Sequence, residues 1–478
     1  MIALQTHVSI GATRMRLTTL QLKNFRGYED REFHLHPEFN LVVGENGTGK
    51  TSFLEAVTVA IGSWFLGIRG YDSRNIRPRD IRVDRGMINT QYRVTPIFPV
   101  VVRASGEISY EKATNTNKSN KPKLELHHVK SIAWERSLEG TNGRTTQIRA
   151  KSIKQAAESM AEAVSDGTPY ILPLIRYFGA GRLWESVRDS GKKTISNTKA
   201  RGLTDYNDDV DNDPDLTDPF YGYHMSVDKR CNPDDLIRWM GFERRAEIDD
   251  EEESIPLRAV YKAIDGMLPN AKSVRYSVRL RTLIIHLEDG RRLSFEELSD
   301  GYRNVLAIAA DLAIKSVMLN PQLGKFALIQ TPGVVLIDEL DLHLHPIWQR
   351  QIIESLRTTF PKLQFICTTH SPFLIQSLRT GEELIVLDGQ PTADVANMSL
   401  EDIAQGLMGV ENSSVSRRYD DMKNVATEYL KSLDSAKINS EADVKRLKSE
   451  LEKSIRPYAD NPAFQAFLEL KQAVKLGE

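Results

Sequence analysis

Only two cysteines, Cys231 and Cys367, occur in 478 residues, too few for a disulfide framework or a four-ligand zinc site. A membrane-length apolar run is also missing. The longest uncharged apolar stretch, about Ala56 to Ile68, falls short of the roughly 18–20 residues that span a bilayer. The first residues are polar and charged where a secretory leader needs an apolar core. Charge of one sign is not in excess either. Lys and Arg total 63 against 65 Asp and Glu, so any nucleic-acid contact has to be a local patch. These absences leave a soluble, cytoplasmic protein without membrane contact as the expectation, long enough for about three units of ~150 residues.

What is present begins at Met15, an alternative start that would make residues 1–14 a dispensable extension. Leu17, Leu20 and Leu22 between polar residues read as a strand. Phe39-Asn-Leu-Val-Val43 is a short apolar run of the buried parallel type. It breaks at Gly44 into a glycine-rich loop, and a helical stretch runs from Thr51 towards Ile61. β-Branched runs at Gln91–Val102 and Leu124–Ile132 flank Lys112–Lys123, which predicts antiparallel strands around a flexible loop. Residues 274–294 alternate as strands, Tyr302–Met318 reads as an apolar helix, and Val334–Ile337 and Gln364–Thr368 as buried strands. The tail is mostly helical, with Val444, Leu447 and Leu451 on one face. Asp205 to Asp218 contains seven Asp and Asp249–Glu253 follows. Neither has the glycine and glutamate spacing of a calcium loop, and both read as solvated loops.

The strongest local pattern is Gly44-Glu45-Asn46-Gly47-Thr48-Gly49-Lys50-Thr51-Ser52, which satisfies G-x-x-x-x-G-K-[ST]. A triphosphate needs several backbone N–H donors at close range, and glycines let the loop wrap it. The helix that follows adds its positive N-terminal end. Lys50 is expected on the β- and γ-phosphates of ATP and Thr51 on Mg²⁺. Hydrolysis also needs a second magnesium ligand and a group that polarises water. Val334-Val-Leu-Ile-Asp338-Glu339 offers both at the end of a buried strand, Asp338 for the metal and Glu339 for the water.

Leu298-Ser299-Asp300-Gly301-Tyr302-Arg303 precedes the apolar helix, and Thr368-Thr-His370-Ser-Pro372 follows the strand after Asp338. With these motifs the chain resembles the ABC-type ATPases of the SMC/RecF branch. The resemblance implies an α/β P-loop ATPase head, a mixed sheet with helices, in which two subunits sandwich ATP. Ser299 and Gly301 would then cap the partner's γ-phosphate in trans, and His370 would be the catalytic switch histidine. Asp300 and Tyr302 stand where transporters of this class carry Gly and Gln. The glutamine of the Q-loop has one candidate, Gln91. Asp341-Leu-His343-Leu-His345-Pro346 corresponds to the D-loop, which touches the opposite subunit; metal ligation by the two histidines is the alternative.

Lys50 and Asp338 lie 288 residues apart without sustained heptads between them, so long coiled-coil arms are excluded. The expected division is a head part over 1–95, an inserted β/helical lobe with acidic loops over 96–273, a second head part over 274–414 and a helical tail over 415–478. Asn24-Phe25-Arg26, Arg77-Pro-Arg79-Asp80-Ile81-Arg82, Leu172–Gly179 and the segment around Ser299 extend the resemblance to Septu-type antiphage defence ATPases. That group implies self-assembly and a separate HNH nuclease subunit. No intrinsic nuclease is expected: Glu382 to Asp388 superficially resembles the start of a Toprim site, but no Asp-x-Asp follows. A RecF-like repair ATPase that binds DNA without a dedicated nuclease is the alternative. Arg74, Arg77, Arg79, Arg82 and Arg85 form a basic stripe able to neutralise phosphates, unless Asp72, Asp80 and Asp84 pair with it.

Overall fold

The computed structural model describes residues 15–88, 91–114, 123–183, 218–268, 270–387, 398, 400, 402–403, 417–435, 441–458 and 462–476. The acidic run before Asp218 and the Toprim-like Asp388 lie outside them. The chain divides into two compact units, residues 1–400 and 401–478.

In the first unit the elements run β1 (Met15–Phe25), β2 (Tyr28–His34), β3 (Phe39–Val43), α1 (Lys50–Ile61), β4 (Val83–Ile88), β5 (Gln91–Pro96), β6 (Val100–Thr114) and β7 (Lys123–Leu138). Next come α2 (Lys151–Ser165), β8 (Leu174–Phe178), α3 (Pro233–Asp249), α4 (Ile255–Met267), β9 (Ala271–Ser277), β10 (Thr282–Leu287) and β11 (Arg292–Ser294). Then follow α5 (Asp300–Leu319), α6 (Ala327–Gln330), β12 (Gly333–Ile337), α7 (Pro346–Thr359), β13 (Leu363–Thr368), α8 (Pro372–Gln376) and β14 (Leu384–Val386).

The central sheet has the order β14-β3-β13-β12-β8, with parallel pairing throughout. Every residue of β3, β8, β12 and β13 is buried. That explains why these strands read as continuous apolar runs: a parallel sheet is covered on both faces. Helices α1 and α5 are buried nearly all round, and each large apolar side chain they bury contributes about 1.5–3 kcal/mol. A second, antiparallel sheet has the order β2-β1-β6-β7, and a third joins β11, β10 and β9. The fold is mixed α/β.

The segment 96–273, read from the sequence as an inserted lobe, supplies strands to two sheets. β6 pairs with β1, Leu22 opposite Val102, and β8 is the edge strand beside β12, Ile337 opposite Phe178. Alternation in a sequence reports that a strand exists; its partner is chosen by long-range packing.

The second unit contains α9 (Arg417–Ser435), α10 (Glu441–Ile455) and α11 (Pro462–Leu476). Tyr429, Leu433, Leu447, Leu451, Phe464 and Leu468 form its core, while Val444 is only half-buried. Gln472 Nε2 donates to Tyr429 Oη and to the Leu447 carbonyl, both at 2.9 Å, so its buried amide is satisfied.

Candidate active site

The strand order builds the site. β13 lies between β3 and β12, so the loops leaving these three strands share the carboxyl edge of the sheet, where open α/β folds take their ligands. Thr51, in the first turn of α1, donates its hydroxyl to Asp338 Oδ2 at 3.0 Å. Asp338 is 4% exposed, and its Oδ1 accepts the Thr368 hydroxyl at 2.6 Å. The Thr368 oxygen in turn accepts the Glu339 N–H at 2.8 Å. One hydroxyl on β13 thus fixes both members of the Asp-Glu pair.

The phosphate loop is closed on itself. Lys50 is buried and donates to the carbonyls of Gly44 and Glu45 at 2.7 and 2.9 Å. The Thr48 hydroxyl donates to the Glu45 carbonyl at 2.9 Å. Gly49 caps α1 with φ +106°, a conformation that favours glycine, and a β-carbon there would lie 3.0 Å from Tyr28 Oη. Tyr28 itself donates to the Gly49 carbonyl at 3.1 Å. Glu45, Asn46 and Gly47 are exposed, and Thr48 and Ser52 half-buried. α1 has neither a side-chain N-cap nor an acidic residue in its first turn, which leaves its leading amides to an anion.

The donor set fits the ligands expected from the sequence. The hydroxyl of Thr51 and the carboxylate of Asp338 are hard oxygens of the kind magnesium takes together with phosphate oxygens and water. Lys50 and the loop amides match a phosphate chain.

Glu339 is half-exposed with φ +51°, a left-handed backbone that costs a non-glycine residue of order 1–3 kcal/mol and persists only where surroundings impose it. Arg182 helps impose it, donating to the carbonyls of Asp338 and Glu339 at 2.8 and 3.2 Å. The half-exposed His370 follows β13, and its backbone N–H donates to Asp341 Oδ1 at 3.3 Å. The same oxygen accepts the Thr369 hydroxyl at 2.5 Å. Asp341 therefore braces the segment after β13 within its own chain.

Ser299 is the exposed N-cap of α5 and makes no side-chain cap bond. Gly301 is required by close approach: a β-carbon would lie 2.5 Å from the His343 carbonyl oxygen. Among the described residues, no hydrogen bond joins Ser299 or Gly301 to the phosphate loop of the same chain. Tyr302, in place of the transporter Gln, packs edge-on against Trp348 with ring centroids 4.3 Å apart.

Two further groups of residues bear on the alternatives. Arg74 is not a free phosphate ligand. It is 5% exposed, donates to Glu55 Oε2 at 2.7 Å and to Asp80 Oδ2 at 2.9 Å, and Arg26 shares Asp80. Arg82 pairs with Glu29 at 3.0 Å and Arg79 reaches Glu55 at 4.0 Å, while the Arg77 amide caps Asp80. Arg74 and Arg82 are thus drawn into ion pairs, while Arg77, Arg79 and Arg85 are exposed. Burial alone would raise the Glu55 carboxyl, but Arg74 and Lys229 outweigh it and hold it at about 2. His345 Nδ1 accepts the Ile347 N–H at 3.3 Å, capping α7, and the described residues contain no cluster of three or more metal-ligating side chains. Gln91 lies on β5, with its side chain outside the described residues.

Two family models match, both of an AAA domain: one over residues 19–253 and one over residues 179–376, whose description also names the AbiEii toxin of a type IV toxin–antitoxin system. The retron Vc95 probable ATPase of Vibrio cholerae is 24% identical over 413 residues, 79% of this chain and 74% of that protein. Septu protein PtuA of Bacillus thuringiensis is 35% identical over 167 residues, 34% of this chain and 41% of that one. Over these aligned segments the chain resembles PtuA and the retron ATPase. An SMC head domain from Thermotoga maritima aligns over 77% of this chain and 94% of its own, at 14% identity and a TM-score of 0.36. No helix among the described residues is long and apolar enough to cross a membrane.

Thr368, Arg182, Asn304 and Tyr28 were not legible as site residues. Thr368 opens the segment around His370 but had no role of its own there. Arg182, Asn304 and Tyr28 stand in none of the motifs, and all four are recruited by strand order or by a helix packing across the sheet.

Proposed function

We propose that this chain binds and hydrolyses ATP with Mg²⁺ as a subunit of an antiphage defence complex, working as a head-to-head dimer and controlling a separate HNH nuclease. The observation that carries the ATPase reading is the Thr51–Asp338 hydrogen bond of 3.0 Å. It unites two motifs far apart in sequence into one magnesium-competent pair of oxygens. The proposed roles follow from placement. Lys50 and the amides of residues 45–52 bind the phosphates, Thr51 and Asp338 hold the metal, and bound Mg²⁺ would offset charge on the phosphates. Glu339, beyond the end of β12, orients and polarises the attacking water. His370, on the neighbouring strand end, senses the γ-phosphate. The exposed Ser299 and the N-terminus of α5 suit capping of a γ-phosphate held by a second copy. The defence role and the nuclease partner rest on the likeness to PtuA and the retron ATPase.

The test is ATP turnover by the purified full chain, followed by addition of any HNH protein found encoded beside its gene. Wild-type turnover matched by Lys50→Ala and Glu339→Gln would defeat the ATPase reading. Cleavage indifferent to both nucleotide and Lys50 would defeat nuclease control.

A further inference from the structure

Arg182 lies just beyond β8 and is 2% exposed, yet among the described residues no carboxylate pairs with it. Its guanidinium instead donates to the carbonyls of Gly179 and Asp338, each at 2.8 Å, of Glu339 at 3.2 Å, and to Asn304 Oδ1 at 2.5 Å. A buried charge without a direct ion pair is costly, and burial pulls the Arg182 pKa down to about 10 against the nearby charges of Asp338 and Glu339. The cost is offset by ordering: a rigid five-donor fork holds several fixed acceptors at once.

The acceptors belong to two functional elements. Asp338 and Glu339 follow β12 and include the proposed hydrolytic carboxylate. Asn304 is on α5, one turn after Ser299 and Gly301. The second hand of Asn304, Nδ2, donates to the Leu342 carbonyl at 3.0 Å, in the loop whose next carbonyl crowds Gly301. Asn304 is itself 2% exposed, so water does not substitute for either bond. The start of α5 therefore cannot shift without moving an acceptor of Arg182. That displacement would bear on the strained backbone of Glu339.

We propose that Arg182 is a positioning residue that couples Glu339 to the signature helix α5 of its own chain, with Asn304 as the link. Engagement of Ser299 and Gly301 with a second copy's nucleotide then sets the geometry of this chain's hydrolytic carboxylate. The two nucleotide sites of a dimer become interdependent. The inference rests on the reading of the chain as a dimerising ATPase.

The experiment compares full-length wild type with Arg182→Met, Asn304→Ala and a structural control, Arg176→Met. Arg176 is equally buried, at 1% exposed, and clamps the same helix further along through Asp311 at 2.7 Å. Arg182→Met and Asn304→Ala should bind MgATP within about two-fold of wild type, while kcat falls about ten-fold or more and the Hill coefficient in ATP drops towards one. Arg176→Met should lower thermal stability and leave the Hill coefficient unchanged. Wild-type kcat and Hill coefficient in a folded Arg182→Met overturn the proposal, as does an Arg176→Met that reproduces the whole effect. If Arg182→Met does not fold, Asn304→Ala carries the same readouts. A wild-type chain that binds ATP without turnover defeats the ATPase reading instead. Coupling is then measured as ATP-dependent self-association, and equal association of wild type and Asn304→Ala overturns it.

Discussion

Thr51 and Asp338, 287 residues apart, share a hydrogen bond of 3.0 Å. The bond exists because β13 separates the strands that lead to them, bringing a loop after β3 and the residue after β12 to one edge. Thr51→Ala and Asp338→Asn should each weaken magnesium-dependent ATP binding by at least about 10-fold, by analogy with loss of groups around other metal sites. Thr51→Ser, which keeps the hydroxyl, should retain it. Calorimetric titration of ATP with and without chelator checks both.

Glu339 has its backbone fixed from both sides, by Thr368 and Arg182, leaving the side chain half-exposed. Glu339→Gln removes the base and preserves shape. Turnover should fall by about 10²–10⁴-fold, with ATP binding retained. The ATP-loaded variant should accumulate as a dimer in light scattering; a monomer at saturating ATP contradicts the head-to-head arrangement.

Gly301→Ala places a methyl against a backbone carbonyl that no rotamer change can move. A destabilisation of about 1–3 kcal/mol is expected from such overpacking, read by thermal denaturation. Gly140→Ala, where a β-carbon meets nothing within 4 Å, is the control and should be near neutral. Ser299→Arg, at an exposed position, should leave ATP binding intact and suppress turnover, because its hydroxyl is proposed to act on the nucleotide of another copy.

Glu55 is a buried acid held at about 2, well below its ordinary 4.5, by Arg74 and Lys229 against the opposing effect of burial. A depressed carboxyl stabilises the fold above its unfolded pKa, and the contribution is lost as pH falls from about 4.5 towards 2. Glu55→Gln leaves Arg74 and Lys229 without that counter-charge and should cost about 3–5 kcal/mol at pH 7. The stability gap to wild type should narrow across the same acid window. Urea unfolding at pH 7 and pH 3 measures it, and a gap that does not change with pH contradicts the assignment.

The sequence by itself determined the local chemistry. The loop 44–52 and the strand ending in Asp338-Glu339 were legible because a phosphate cradle and a buried strand each need particular residues at fixed spacing. Apolar runs such as Phe39–Val43 and Val334–Ile337 were legible for the same reason, since a sheet covered on both faces leaves no polar alternation. Partners across the sheet were decided by tertiary structure alone. Residues 100–114 pair with 15–25 and residues 174–178 with 333–337, so a segment that reads as an insertion helps build the head's sheets. The basic residues around Arg74 read as a surface stripe until Glu55 and Asp80 are seen to close over that arginine. Arg182 carried no motif at all. Its role follows from four acceptors, from three separate segments of the chain, meeting one buried guanidinium, and only folding brings such a set together.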